Sequence, residues 1–129
     1  DLYDTTMTTL TYENNIQGHI YVSWLHPFKE HRLVVVGDKG MIRFEDSAEN
    51  KPLMIYDKGI DWKQGKPVKR DGPTEILDYE PGFPLTLELE YFLNHLSRPP
   101  AIADGKNGLS VIRILEQATQ SMAQNQGKT

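Results

Sequence analysis

The sequence predicts an α+β fold, a mostly antiparallel β-sheet with helices packed on one face, and three observations support it. Short runs of alternating or β-branched residues, separated by turn residues, occupy the chain as far as Tyr79. At Pro81-Gly82-Phe83-Pro84 the apolar spacing changes to a helical one and stays helical almost to the end. At 129 residues the chain has room for a single domain with an ordinary core, and no linker or repeat beyond the hairpins divides it.

The elements follow in order. Thr5 to Tyr12 is rich in β-branched and aromatic residues, and Asn14-Asn15 separates it from an alternating strand, so the two runs read as a hairpin with a tight asparagine turn. From Ile16 to Trp24, one face carries Ile16, Gly18, Ile20, Val22 and Trp24, and the other Gln17, His19, Tyr21 and Ser23. Pro27 cannot donate to a ladder and ends this strand at a corner. Arg32 to Val36 and Met41 to Glu45 form a second hairpin, with Gly37 and Gly40 permitting positive φ at its turn. Leu53 to Tyr56 is a short strand with Asp57-Lys58-Gly59 as its turn; Ile60 to Lys63, Pro67 to Arg70 and Thr74 to Tyr79 are further strands.

Leu85, Leu89, Phe92, Leu93 and Leu96 make one stripe of an amphipathic helix, with Pro84 in its first turn and Pro99-Pro100 stopping it after Arg98. Asp104 suits the N-cap of a second helix with stripe Leu109, Ile112, Leu115, Ala118 and Met122. Gln124 to Thr129 reads as a frayed polar tail.

Composition excludes several function classes. Fourteen Lys plus Arg against eighteen Asp plus Glu give a formal charge of −4, with no concentrated basic footprint for nucleic acid. The richest basic run, Lys58, Lys63, Lys66, Lys69 and Arg70, is interleaved with Asp57, Asp61 and Asp71 and reads as a solvated hairpin surface. No cysteine is present, which rules out disulfides and thiolate chemistry and is compatible with a reducing cytosol. No apolar run approaches a membrane span and no signal peptide opens the chain, so a cytoplasmic protein is expected. The chain begins without methionine, directly in strand-like sequence, as a piece of a longer protein would.

Catalytic machinery is absent from the sequence. No glycine pattern encodes a nucleotide-phosphate loop, and the four histidines, His19, His26, His31 and His95, lack metal-ligand spacing. Ser23 and Ser121 have no glycine elbow. The carboxylates offer no pair that can be singled out as acid and base. The expected catalytic, cofactor-binding and metal-ligating residues in this chain are therefore none.

The corner Ser23-Trp24-Leu25-His26-Pro27-Phe28-Lys29, with His31 and Arg32, concentrates recognition chemistry instead. An indole can stack on a flat or sugar ring, and an ammonium and a guanidinium can hold phosphate or carboxylate. Trp24, His26, Lys29 and Arg32 are the candidate ligand contacts for an anionic, ring-bearing molecule. Two readings of Trp24 stay open: it also continues the apolar face of its strand, which would place it in the core.

The run Gly18 to Asp46, then Phe83-Pro84-Leu85-Thr86-Leu87-Glu88 with Phe92-Leu93, then Ala103-Asp104-Gly105 leading into Gly108 to Glu116 and Ser121, resembles one family over almost the whole chain. It is the C-terminal domain of the glucose-fructose oxidoreductase, inositol dehydrogenase and MocA (Gfo/Idh/MocA) family. The S-W-L-x-P-x-K corner looks most like the branch of UDP-N-acetyl-sugar 3-dehydrogenases. The resemblance implies that residues 1–129 are a partial, C-terminal substrate-binding and oligomerisation domain of an NAD(P)-dependent oxidoreductase acting on a sugar or nucleotide sugar.

On that reading NAD or NADP is bound by an N-terminal Rossmann domain absent from this chain, and the fragment alone is inactive. The open sheet face is expected to form a homodimer or homotetramer. The family's E-K-P lysine motif is not found: Lys51-Pro52 and Lys66-Pro67 are superficial echoes in turn-rich sequence. The alternative is a non-enzymatic assembly or protein-interaction module, with the corner serving packing alone.

Overall fold

The computed structural model describes residues 3–125. It contains antiparallel sheets of two and four strands and two α-helices, an α+β fold. The chain divides into two compact units, one of residues up to Ser23 together with those from Gly82 onward, the other of Trp24–Pro81.

In the first unit, β1 (Thr5–Thr11) pairs antiparallel with β2 (Gln17–Ser23). Asn14 and Asn15 turn the chain at φ 63° and 61°, a left-handed conformation that asparagine tolerates better than most residues. The Tyr12 N–H donates to the Ile16 carbonyl at 2.8 Å and closes the loop. The register places Thr6, Thr8 and Leu10 across from Val22, Ile20 and Gly18 on one face. Thr5, Met7 and Thr9 lie across from Ser23, Tyr21 and His19 on the other, which keeps the two faces in the alternation the sequence carries.

α1 (Pro84–Asn94) starts with Pro84 at its first turn, where the missing N–H costs nothing. It ends four residues before the expected Arg98. The His95 N–H bonds back to the Phe92 carbonyl at 3.0 Å, and the His95 ring donates through Nδ1 to the Tyr91 carbonyl at 2.7 Å. The Tyr91 hydroxyl in turn accepts the Ala101 and Ile102 N–H groups at 2.9 and 3.1 Å, clamping the diproline segment to the helix. α2 (Gly105–Asn125) is capped as expected: Asp104 Oδ1 accepts the Asn107 N–H at 2.7 Å. The helix continues past Gln124, where a frayed tail was expected; the rest of that tail, residues 126–129, lies outside the described residues. The stripes Leu85, Leu89, Phe92, Leu93, Leu96 and Leu109, Ile112, Leu115 are exposed.

In the second unit, β3 (Arg32–Val36), β4 (Met41–Glu45), β5 (Leu53–Lys63) and β6 (Lys66–Leu77) form an antiparallel meander in that order. The β3–β4 turn closes with the Gly37 N–H on the Gly40 carbonyl at 2.9 Å. Contrary to expectation, neither glycine takes a positive φ. Gly40 answers a close approach instead, since a Cβ there would lie 2.9 Å from the Tyr56 carbonyl oxygen. The register aligns Leu33, Val35, Ile42, Phe44, Leu53, Ile55 and Leu77 on one face, and Val34, Val36, Met41, Met54, Tyr56 and Ile76 on the other, together with Arg32, Arg43 and Glu45. The first face is the more apolar, and the second mixes apolar and charged residues.

The β5–β6 hairpin departs most from the sequence reading. Asp57-Lys58-Gly59 is no turn, and the separate short strands expected here are two long ones. Tyr56 pairs with Thr74 and Lys58 with Asp71, so Asp57 faces Gly72 and Pro73 in a β-bulge. The bulge also lets Pro73 sit within a strand, because its missing donor falls where the ladder is interrupted. The chain reverses only at Gln64-Gly65, with φ 52° and 75°, the doubly left-handed turn that suits the twist of a two-residue hairpin. β4 accompanies β5 only from Leu53 to Tyr56, so Lys58–Lys63 and Lys66–Asp71 form a two-stranded arm.

Among the described residues none is fully buried, polar or apolar. The faces that the sequence marks for a core are assembled but left open.

Candidate functional site

The corner between Ser23 and Arg32 opens the second unit. β2 ends at Ser23, one residue before the alternation would end it, because Pro27 and the residues leading to it cannot extend the ladder. The indole stands one residue beyond the strand and is 85% exposed, where Ile20 and Val22 on the strand face it would continue are 48% and 56% exposed. Leu25 and Phe28 are exposed beside it in sequence.

His26 is oriented by its own loop. Its Nδ1 lies 3.0 Å from the Phe28 carbonyl, which can only accept, so Nδ1 carries the proton in this contact. The Phe28 ring meets the imidazole edge-on at 4.4 Å and 84°. Nε2 is thereby aimed at Glu30, 3.8 Å from Oε2. The other oxygen of the same carboxylate, Oε1, takes the Arg32 guanidinium at 2.6 Å. Glu30 thus bridges two of the four candidates with its two oxygens.

The structure brings His26 and Arg32 together through this carboxylate. Sequence reasoning missed Glu30, although it stands four residues after His26 and two before Arg32. A carboxylate declares its role only through the groups it bridges, and those become visible only when the loop is folded.

A second charged cluster lies one residue along. The His31 carbonyl accepts the Asp46 N–H at 2.8 Å, and its ring Nδ1 is 3.6 Å from Asp46 Oδ2. Lys51 reaches the other Asp46 oxygen at 2.7 Å. Lys51, through its hydrogen bond and its charge, holds the Asp46 carboxyl below the usual carboxylate range, and Asp46 raises the Lys51 ammonium in return. The Ser47 hydroxyl donates to Glu45 at 2.5 Å and accepts the His31 N–H at 3.2 Å. Tyr79 donates to the Lys51 carbonyl at 2.7 Å, so the Lys51-Pro52 echo is a tied turn. His19, bonded to Thr9 across the hairpin at 3.2 Å, and His95, stacked on Tyr91 at 4.1 Å, likewise serve structure.

The β3–β4 turn borders an open hollow of about 330 Å³ lined by Val35, Met41, Ile42 and Ile55, with Asp38 and Lys39 at its rim. None of the four candidates lines it. Its polar equipment is too sparse to orient a ligand, and it continues the apolar sheet face.

A dinucleotide does not fit the described residues. A pyrophosphate cradle needs a glycine-rich turn between a strand and a helix N-terminus with free amides. α1 begins behind Phe83 and Pro84, with the Leu87 side chain packed over Gly82, and α2 has the Asp104 carboxylate already on its first-turn amides. Among the described residues no group of three His, Asp or Glu could hold a metal ion, and no helix is long and apolar enough to cross a membrane.

The chain matches, over residues 2–129, the family described as "Oxidoreductase family, C-terminal alpha/beta domain", the Gfo/Idh/MocA C-terminal domain. No curated protein and no solved structure matches it.

Proposed function

The chain belongs to that oxidoreductase family as its C-terminal alpha/beta domain, and from this premise we propose that it is the substrate-binding and oligomerisation domain of a cytoplasmic, NAD(P)-dependent oxidoreductase. The substrate is a sugar or nucleotide-sugar hydroxyl, with UDP-N-acetyl sugars as the first class to test. The nicotinamide is held by a Rossmann domain elsewhere in the protein, and residues 1–129 alone turn nothing over.

The observation that carries this reading is Trp24, presented at 85% exposure on a loop that also holds His26 and Lys29 and leads into Arg32 at the start of β3. An aromatic of that size on a loop beside three cation-capable groups has the chemistry of a ring platform next to an anion site. Assembly is supported by the exposed apolar residues of the four-stranded sheet: Leu33 and Val35 are 62% and 53% exposed on one face, Val34 and Val36 51% and 67% on the other. A partner subunit on one of these faces would cover it.

The test uses the whole oxidoreductase. Trp24→Ala is expected to raise KM for a UDP-N-acetyl sugar about tenfold, with kcat and sedimentation unchanged. Wild-type protein that oxidises or epimerises no UDP-linked or free sugar with NAD or NADP would remove the substrate assignment. The alternative, an assembly module without ligand, rests on the same exposed apolar residues. It gains if Trp24→Ala and Lys29→Ala change association and wild type binds no sugar.

A further inference from the structure

Resting on the proposed substrate site, we infer that Glu30 is a built-in competitor for the anionic part of the substrate. Its carboxylate stands where a phosphate or carboxylate of the ligand must go, and leaves when the ligand arrives.

Three features of the corner lead there. The two Glu30 oxygens are divided between two different groups, Oε1 to Arg32 at 2.6 Å and Oε2 towards His26 at 3.8 Å. That is how a bound carboxylate or phosphate would share its oxygens between a guanidinium and an imidazole. The His26 ring and the Arg32 backbone are held by contacts other than Glu30. His26 is set by the Phe28 carbonyl and ring, and Arg32 is the first residue of β3, in register with Glu45 on β4. The Arg32 guanidinium pairs with Glu30, and the Glu45 carboxylate across the ladder accepts the Ser47 hydroxyl at 2.5 Å.

Glu30, by contrast, stands on the irregular stretch between the corner and β3, where a rotation of its side chain disturbs no ladder. The pair is partly exposed, so releasing Glu30 to water costs little. The consequence is selectivity by charge. A neutral ring offers nothing to displace the carboxylate, whereas an anionic ligand replaces one ion pair with another and keeps both cation-capable groups satisfied. Glu30 acts through Arg32 and His26 and is a positioning residue.

The experiment measures affinities of the whole oxidoreductase by calorimetry for three probes: UDP-N-acetylglucosamine, free glucuronate and neutral N-acetylglucosamine. Glu30→Gln is expected to tighten one anionic probe about fivefold, the upper range for an exposed ion pair, and to leave the neutral sugar unchanged. Which anionic probe gains identifies phosphate or carboxylate as the source. Glu30→Asp, which keeps the charge, should show no gain, and Arg32→Met added to Glu30→Gln should abolish it. The melting temperature should stay at the wild-type value. If wild type binds a probe and Glu30→Gln binds it equally or more weakly, the inference is overturned and the substrate reading stands. If wild type binds none of the three, the substrate reading itself fails and takes the inference with it.

Discussion

The β5–β6 arm and the Trp24–Arg32 corner are made from the same residue types and hold their charges in opposite ways. In the arm, Arg70 lies between Asp57, at 2.9 Å from Nε, and Asp61, and Lys58 and Lys69 share Asp71 at 3.2 and 2.9 Å. Each partner stands on a strand, and glycines give the clearance. A Cβ at Gly59 would meet Arg70 Nη2 at 2.8 Å, and one at Gly72 the Asp57 carbonyl oxygen at 2.6 Å. In the corner the bridging carboxylate stands on a loop with an exposed indole nearby in sequence. Charge pairs fixed by a ladder are architecture; a charge pair on a loop is open to exchange.

The comparison breaks most visibly at Gly72. A methyl there collides with backbone as well as side chain of Asp57, so Gly72→Ala should destabilise the bulge by about 2 kcal/mol. Amide exchange across residues 57–73 of the whole protein would accelerate, with substrate KM unchanged. Unaltered exchange would mean that the bulge yields without cost.

Arg70→Met tests the same arm more gently. It leaves Asp57 and Asp61, on either side of Gly59 along β5, without their shared cation, but these carboxylates are 51% and 39% exposed and well screened, so about 1 kcal/mol is expected. Exchange should quicken within the arm alone. A change in ligand affinity on this substitution would erase the distinction between arm and corner.

The smallest effect is expected at Asp46, between the two extremes. Its carboxyl is held low by Lys51, so its contribution is present above the unfolded value of about 4 and is lost as pH falls through the lower folded value. The Lys51 ammonium is raised, so its share is present below about 10.4 and is lost as pH rises through the higher folded value. Denaturation curves of wild type and Asp46→Asn should run parallel between those limits and converge beyond both. A gap that does not narrow at all as pH falls below about 4 would show that the carboxylate acts otherwise than through its charge.

How much of this could be read from sequence depends on how local the cause is. The asparagine turn, the Pro84 helix start and the Asp104 cap are each decided within three or four residues, and the sequence reading met them all. Asp57-Lys58-Gly59 has the composition of a turn, yet it runs on as strand because Gly72 and Pro73 stand across from it. Gly59 is there to admit Arg70, a partner eleven residues away. Glu30 was hidden for the same reason, since its meaning comes from His26 and Arg32 together. For Trp24, alternation carries the strand face one residue further than the ladder does, which ends at Ser23.

The open faces of this chain have a calorimetric consequence. The heat-capacity step of melting arises chiefly from apolar surface newly given to water. With none of the described residues fully buried, they have less such surface left to give than the residues of a packed core. They should melt with a shallow step and a low denaturant slope, whereas the same residues within the assembled oxidoreductase should melt sharply. Under the proposed assembly, the temperature at which the domain fails would report how well its faces are covered.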